Sequence, residues 1–225
     1  MKVHVVSATR RTREAFWAEG ALGLSLRRFA DDVRLVPWIA YENTHGLPEV
    51  YNQVITAGNA DGAVVFVHDD VWLDDHFFVQ RVLEGLEVFD VLGLAGNRRR
   101  VPGQPGWAFV DADLRWDDRA NLSGRVAHGR HALGRPGDFG PVPAACELLD
   151  GVLLAARVDT LLRADCRFDP RFRFHFYDLD FCRTARARRL RLGTWPIGVT
   201  HQSGGAFGSD AWRQGYRDYL EKWRD

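Results

Sequence analysis

The strongest constraint on the fold is the stretch Gly62-Ala63-Val64-Val65-Phe66-Val67-His68-Asp69-Asp70-Val71. Five consecutive apolar residues, Ala63 to Val67, mostly β-branched or aromatic, suit a strand covered on both faces, as in a parallel sheet packed between helices. The run ends in an imidazole and two carboxylates, and acidic groups just beyond the carboxyl end of such a strand lie where open α/β sheets bind ligands. The same residues also fit a polar turn leaving a core strand, with Asp70 or Asp74 capping the next helix.

Around this strand the pattern alternates. Val3 to Ala8 reads as a strand, Thr9 to Phe29 as a loop and helix, Val33 to Tyr41 as a strand, and Leu47 to Ala57 as a short helix with Pro48 in its first turn. Asp75 to Leu86 predicts a further helix and Val88 to Ala95 a further strand. Such alternation implies parallel strands with right-handed crossovers. The segment Val101 to Ala145 breaks it: dense in Gly and Pro, with Trp107 and Trp116 embedded, it reads as an irregular excursion, with short antiparallel strands around Trp107 to Leu114 as an alternative. Regular structure then resumes with a strand at Leu148 to Ala156, a short helix at Val158 to Ala164, a helix at Tyr177 to Arg189, a strand at Leu192 to Thr200 and an aromatic-rich helix at Asp210 to Trp223 that fits core cover ahead of a dimer contact.

Composition narrows the function classes. A chain of 225 residues, 46% hydrophobic, can bury one substantial core. Thirty basic residues balance thirty acidic ones, so the basic excess of many nucleic-acid binders is missing and no nucleic-acid partner is expected. Cys146, Cys166 and Cys182 are odd in number and far apart, which argues against a disulfide framework or a thiolate zinc site and for a reducing, cytoplasmic setting. No apolar segment approaches the roughly 20 residues a transmembrane helix needs.

Three polar centres fall at the ends of expected elements: His68, Asp69 and Asp70 after one strand, Asp178 and Asp180 opening a helix, and His201 after the last strand. Carboxylates with imidazole suit a divalent cation such as Mn²⁺ or Mg²⁺, and a site with few protein ligands leaves room for phosphate oxygens. A separate carboxylate can take a proton from an attacking hydroxyl. Asp178 and Asp180 also suit plain helix-opening caps, and His201 a structural imidazole. Arg98-Arg99-Arg100 and the arginines from Arg183 to Arg191 read as solvated surface. Trp107 and Trp116 fit either core packing or stacking on an acceptor.

Phe66-Val67-His68-Asp69-Asp70-Val71, Leu149-Asp150-Gly151-Val152-Leu153-Leu154, Phe168-Asp169-Pro170-Arg171-Phe172 and Phe174-His175-Phe176-Tyr177-Asp178-Leu179-Asp180-Phe181-Cys182 together resemble glycosyltransferase family 2. Within it the sequence is most similar to the streptomycin-biosynthesis (StrF-like) glycosyltransferase domain. The resemblance spans nearly the whole chain, weakest from Val101 to Ala145. It implies a GT-A-type, Rossmann-like α/β fold: a mixed, mainly parallel sheet flanked by helices, with an irregular acceptor-side excursion. It further implies one domain over 1–225, with a nucleotide-sugar-binding half at 1–97 and an acceptor-side, catalytic half at 98–225.

By the same resemblance, the strand-end Asp-x-Asp motif that holds a divalent metal against a nucleotide-sugar diphosphate has its second Asp at Asp70, while its first falls on His68. Asp69 then acts in place of His68 or contacts the ribose, and His201 completes the metal site. Asn43, with its neighbour Glu42, matches a position near the nucleoside. Asp178 matches the catalytic base, and Asp180 an orienting or capping residue. Asp150 and Gly151 match an acceptor-side position where glycine permits close backbone approach. Gly204, Gly205 and Gly208 suggest a loop able to close over a donor. The implied reaction moves a sugar from a nucleotide-diphosphate donor to an acceptor hydroxyl on a glycan, lipid-linked sugar, natural product or protein, with inversion. Two alternatives keep the same residues: a non-catalytic nucleotide-sugar-binding domain, and a metal-dependent phosphohydrolase.

Overall fold

The computed structural model describes residues 1–205 and 207–224. In chain order the elements are β1 (Val3–Ala8), α1 (Arg13–Glu19), α2 (Ala21–Arg28), β2 (Leu35–Ala40), α3 (Leu47–Asn52), β3 (Ala63–Val67), β4 (Val71–Leu73), α4 (Phe78–Val88), β5 (Val91–Gly93) and β6 (Ala95–Asn97). They continue with β7 (Leu122–His128), β8 (Arg135–Gly140), β9 (Ala144–Cys146), β10 (Leu148–Leu149), β11 (Leu153–Arg157), α5 (Val158–Arg163), α6 (Tyr177–Ala187), β12 (Leu192–Thr194), β13 (Val199–His201) and α7 (Asp210–Trp223).

β3 forms where its sequence places it, and both its faces are covered. Ala63, Val65 and Val67 pack in one hydrophobic cluster with residues of α2 and α4, while Val64 and Phe66 pack in the other with residues of α3 and α6. Each such fully buried valine or phenylalanine contributes about 1.5–3 kcal/mol. Among the described residues two sheets form, ordered β2-β1-β3-β11-β5-β12-β9 and β10-β6-β7-β13-β4, with β8 pairing β7. The first is mixed as expected but not mainly parallel: β1–β2, β1–β3 and β5–β12 run parallel, whereas β11 pairs antiparallel with β3 and β5, and β9 antiparallel with β12.

Three stretches expected as single strands each divide in two because the chain passes there from one sheet to the other. Leu94 separates β5 from β6, Asp150-Gly151-Val152 separates β10 from β11, and Trp195 to Gly198, with Pro196 unable to donate to a ladder, separates β12 from β13. His68-Asp69-Asp70 makes the same crossing from β3 to β4, so the acidic end of the strongest strand lies on the seam between the sheets. The expected helix at Thr9 to Phe29 is likewise two helices, joined at Gly20 in extended backbone.

The excursion at 101–145 is more regular than its composition predicts. β7 and β8 form an antiparallel hairpin within it, β8 carrying Pro136 and Gly137 as a strand with a single partner can. Around Trp107 to Leu114 the only pairing among the described residues is one bridge, Phe109 to Trp116. Arg99, exposed as expected, nevertheless anchors this segment through a two-pronged ion pair with the buried Asp117. Arg186 pairs with Glu147, Arg188 with Asp165 and Arg191 with Asp90.

α7 covers the core as anticipated, burying Trp212 and Tyr219. Its last turn reaches α6: Lys222 Nζ lies 2.7 Å from Asp180 Oδ1, and Trp223 Nε1 donates to the same oxygen at 2.9 Å. No described helix is long and apolar enough to cross a membrane.

Candidate functional site

Four elements deliver side chains to one open cavity of about 800 Å³: the β3–β4 crossing, the β10–β11 crossing, the start of α6 and the end of β13. His68, Asp69, Asp70, Asp150, Gly151, Asp178 and His201 all line it. Asn43 and Glu42 do not. Glu42 is exposed with φ of +46°, and the Asn43 side chain closes a turn by accepting from the His45 amide at 3.2 Å and donating to the His45 carbonyl at 2.8 Å.

Neither Asp70 nor Asp74 caps a helix. α4 has no side-chain cap at its N-terminal residue Phe77; Asp75 instead accepts from the Phe77 amide at 2.8 Å. Asp74 accepts from the Thr200 hydroxyl at 2.5 Å and the Leu133 amide at 3.1 Å, tying the β13 strand to the β7–β8 loop. Asp70 faces the cavity with Oδ1 3.2 Å from His201 Nε2, which also lies 3.0 Å from Ser203 Oγ. Burial works to raise the Asp70 pKa, but the His201 contact and the His68 imidazole outweigh it and hold the carboxyl down to about 2. One donor atom each from His68, Asp70 and His201 fall within 4.8 Å of one another.

His68 is oriented from behind. Its Nε2 lies 2.8 Å from Tyr177 Oη, and that hydroxyl lies 2.7 Å from the Gly151 carbonyl oxygen. A carbonyl only accepts, so the Tyr177 proton goes to Gly151 and His68 Nε2 must donate. This leaves Nδ1 as the lone-pair atom of His68. Burial, then the neighbouring His201, lower the His68 pKa and favour the neutral ring. Asp69 accepts from the Thr9 hydroxyl at the end of β1 at 2.6 Å.

The second acidic centre faces the same cavity. Asp178 accepts from the Gly151 amide at 3.0 Å. Asp150 accepts from the Val152 amide at 2.7 Å and from the Trp107 indole N–H at 2.5 Å. Burial, then the Asp150 charge, push the Asp178 carboxyl up to about 7 against hydrogen bonds from the Leu179 and Gly151 amides. The close approach that Gly151 permits is made by α6 itself, since a Cβ there would sit 2.3 Å from Tyr177 Oη and 2.9 Å from Asp178 Cβ. Phe176, which leads into α6, holds φ of +64°, a conformation that costs a non-glycine residue of order 1–3 kcal/mol and aims the first turn at the crossing. Asp180 points away from the cavity, fully buried against Lys222 and Trp223, and does not cap α6. Gly205 and Gly208 turn the loop after β13 at φ of +88° and +76°.

Sequence reasoning missed Tyr177 and Thr9. Tyr177 stands inside the Phe-Tyr-Asp-Leu-Asp motif, where only the acids drew notice, and its partner His68 is 109 positions away.

No protein-family model matches the chain, and neither does any curated protein. Among solved structures it is similar to GalNAc-T7 crystallised with UDP, GalNAc and Mn²⁺, at TM-score 0.54 and 10% identity over 98% of this chain and 48% of that one. The chain thus spans about half the length of the GalNAc-T7 chain. It is also similar to A197 from STIV, at TM-score 0.49 and 9% identity over 93% of this chain and 98% of that one. A third similarity is to S. aureus TarS 1-349, at TM-score 0.47 and 15% identity over 90% and 60%. At such identities what is shared is backbone architecture, and the GalNAc-T7 match is the one of these three above 0.5. The chain has a mixed α/β fold, with helices flanking a sheet that contains parallel strands, of the kind seen in GT-A glycosyltransferase structures.

Proposed function

We propose that this chain is a single-domain glycosyltransferase that moves a sugar from a nucleotide-diphosphate donor to an acceptor hydroxyl, with inversion. The observation that carries this reading is the convergence, on one cavity, of a His68/Asp70/His201 cluster and a separate carboxylate, Asp178, pushed up to about 7. The family 2 resemblance, with its StrF-like segments, and the GalNAc-T7 structure's UDP, GalNAc and Mn²⁺ support the same reading.

Two imidazoles and a carboxylate fit a first-row divalent ion such as Mn²⁺ better than Mg²⁺, which prefers all-oxygen sites. When bound, such an ion neutralises charge on a departing diphosphate. Asp69, held by Thr9 beside this cluster, contacts the donor, and residues 1–97 supply most of the nucleotide side. Asp178 takes the proton of the attacking hydroxyl as its oxygen forms the new bond to the anomeric carbon. The bond to the diphosphate oxygen breaks, and the electron pair leaves with the nucleotide. Asp150 and Gly151 position Asp178 and border the acceptor. The three free, buried cysteines suit a reducing, cytoplasmic setting.

Calorimetry with UDP, GDP and dTDP, with Mn²⁺ and with chelator, on wild type and Asp70→Ala tests the donor site. Metal-dependent binding of one nucleotide, lost in the variant, is the expected result; binding indifferent to metal and to Asp70 would overturn it. Release of phosphate or sugar without an acceptor, undiminished in Asp178→Asn, would instead favour hydrolysis.

A further inference from the structure

Part of the cavity lining is built from aromatic rings of the 101–145 segment, Trp107, Phe109, Trp116 and Phe139. Trp107 packs edge-on to Phe139, with ring centroids 5.0 Å apart, and Trp116 lies nearly parallel to Phe139 at 6.1 Å. Phe109 meets Trp116 edge-on at 5.4 Å. Trp116 remains 53% exposed, leaving much of its surface uncovered.

Two polar groups at this wall, the Trp107 indole N–H and the Gln104 amide, are already engaged. The Trp107 indole N–H donates to Asp150. Gln104, buried behind the wall, donates to the Gly106 and Trp107 carbonyls at 3.0 and 3.1 Å and accepts from the Val101 amide at 3.0 Å. What the faces of Trp107, Phe109, Trp116 and Phe139 offer the cavity is hydrocarbon, so a flat apolar ring lying along them buries more apolar surface than a sugar ring, whose hydroxylated edge stays polar. The charged residues lining the cavity are equally selective. Asp69, Asp70, Asp150 and Asp178 contribute carboxylates, and among the described residues no lysine or arginine lines it. An acceptor carrying a phosphate or diphosphate would therefore meet like charge with no lysine or arginine to offset it.

Resting on the glycosyltransferase reading, we propose that the accepting hydroxyl belongs to an uncharged compound with a flat apolar face, an aromatic or fused-ring alcohol or phenol, seated against Trp116 and Phe139 with its hydroxyl toward Asp178. Offset or edge-on contact with these rings supplies affinity that is insensitive to polar detail, while Asp178 receives the single polar group. Of the acceptor types the family resemblance implies, this selects a natural product over a glycan or a lipid-linked sugar.

Calorimetry with three probes tests the class: 2-naphthol, 2-naphthyl phosphate and methyl α-glucoside, each in the presence of UDP and Mn²⁺. The expected order is 2-naphthol tightest, the phosphate at least about tenfold weaker because of the acidic lining, and the glucoside without measurable binding. Trp116→Ala, checked for native folding by circular dichroism, is expected to weaken 2-naphthol about tenfold while leaving UDP binding unchanged. A glucoside or phosphate that binds as well as naphthol, or naphthol binding unaffected by Trp116→Ala, would overturn the proposal. UDP binding without naphthol binding rejects this acceptor class and leaves the donor reading intact. Naphthol binding without UDP binding rejects the donor reading and, with it, the acceptor role of the aromatic wall.

Discussion

Two aspartates in one cavity are driven in opposite directions. Asp70, touched by His201 and faced by His68, is held down to about 2, whereas Asp178, set beside Asp150, is pushed up to about 7. The residue type is the same; Asp178 is the more deeply buried and faces a like charge, whereas the imidazoles beside Asp70 outweigh its burial. An anion held ready for a cation and a carboxyl able to exchange a proton near neutrality thereby stand in the same cavity, and acid/base assignments are recognised by such divergence.

The contrast is broken most directly by Asp178→Asn. Transfer is expected to fall about 10²–10⁴-fold, the usual worth of a positioned base, while UDP affinity stays unchanged; turnover measured alongside calorimetry checks both. Unaltered transfer would remove Asp178 from the chemistry. The same carboxyl sets a pH dependence. It accepts a proton only when ionised, so the rate should rise through pH 7 and level off above it. Its folded pKa lies above its unfolded one, so its contribution favours the folded state at low pH and is lost as pH rises toward 7. Asp178→Asn should accordingly raise the melting temperature at pH 8 relative to wild type and have no such effect at pH 4.

Tyr177→Phe is expected to act next most strongly, and only on the histidine side. The ring volume is kept, but His68 Nε2 loses the acceptor that fixes its tautomer, and Mn²⁺ affinity should drop about 10–100-fold as followed by electron paramagnetic resonance of free Mn²⁺. A metal affinity equal to wild type would mean that Tyr177 merely packs. The smallest effect is expected from Asp150→Asn in a Trp107→Phe background, where the new amide no longer faces the indole N–H. Removing that charge should move the rising limb of the pH–rate profile downward by up to about one pH unit. A limb that stays in place would assign the Asp178 shift to burial alone.

The sequence made β3 and the acidic residues after it legible because an uninterrupted apolar run has few alternatives. Val64 and Phe66 on one face, and Val65 and Val67 on the other, needed no long-range information. The sheet crossings at Leu94 and Val152 left no trace, since both residues are as buried as their neighbours and do not disturb the hydrophobic pattern. β8 stayed hidden for the opposite reason: Arg135-Pro136-Gly137-Asp138-Phe139-Gly140 has turn chemistry, and only pairing with β7 makes it a strand. At the site, the acids and histidines could be picked out as candidates, but the Tyr177 relay and the Trp107–Asp150 bond depend on residues brought together from 109 and 43 positions apart.

The junction of α7 with Asp180 bears on the order in which this protein becomes competent as it is made. Asp180 is fully buried two residues from Asp178, and its nearest cation and an indole donor come from Lys222 and Trp223. A buried carboxylate deprived of its partner is costly, about 3–5 kcal/mol for such a broken pair. A nascent chain that already contains every cavity residue therefore still lacks a settled α6 until positions 222 and 223 have left the ribosome. Assembly of the proposed base thus waits on α7, and a chain cut before position 222 would carry all of the site's side chains without holding them in place.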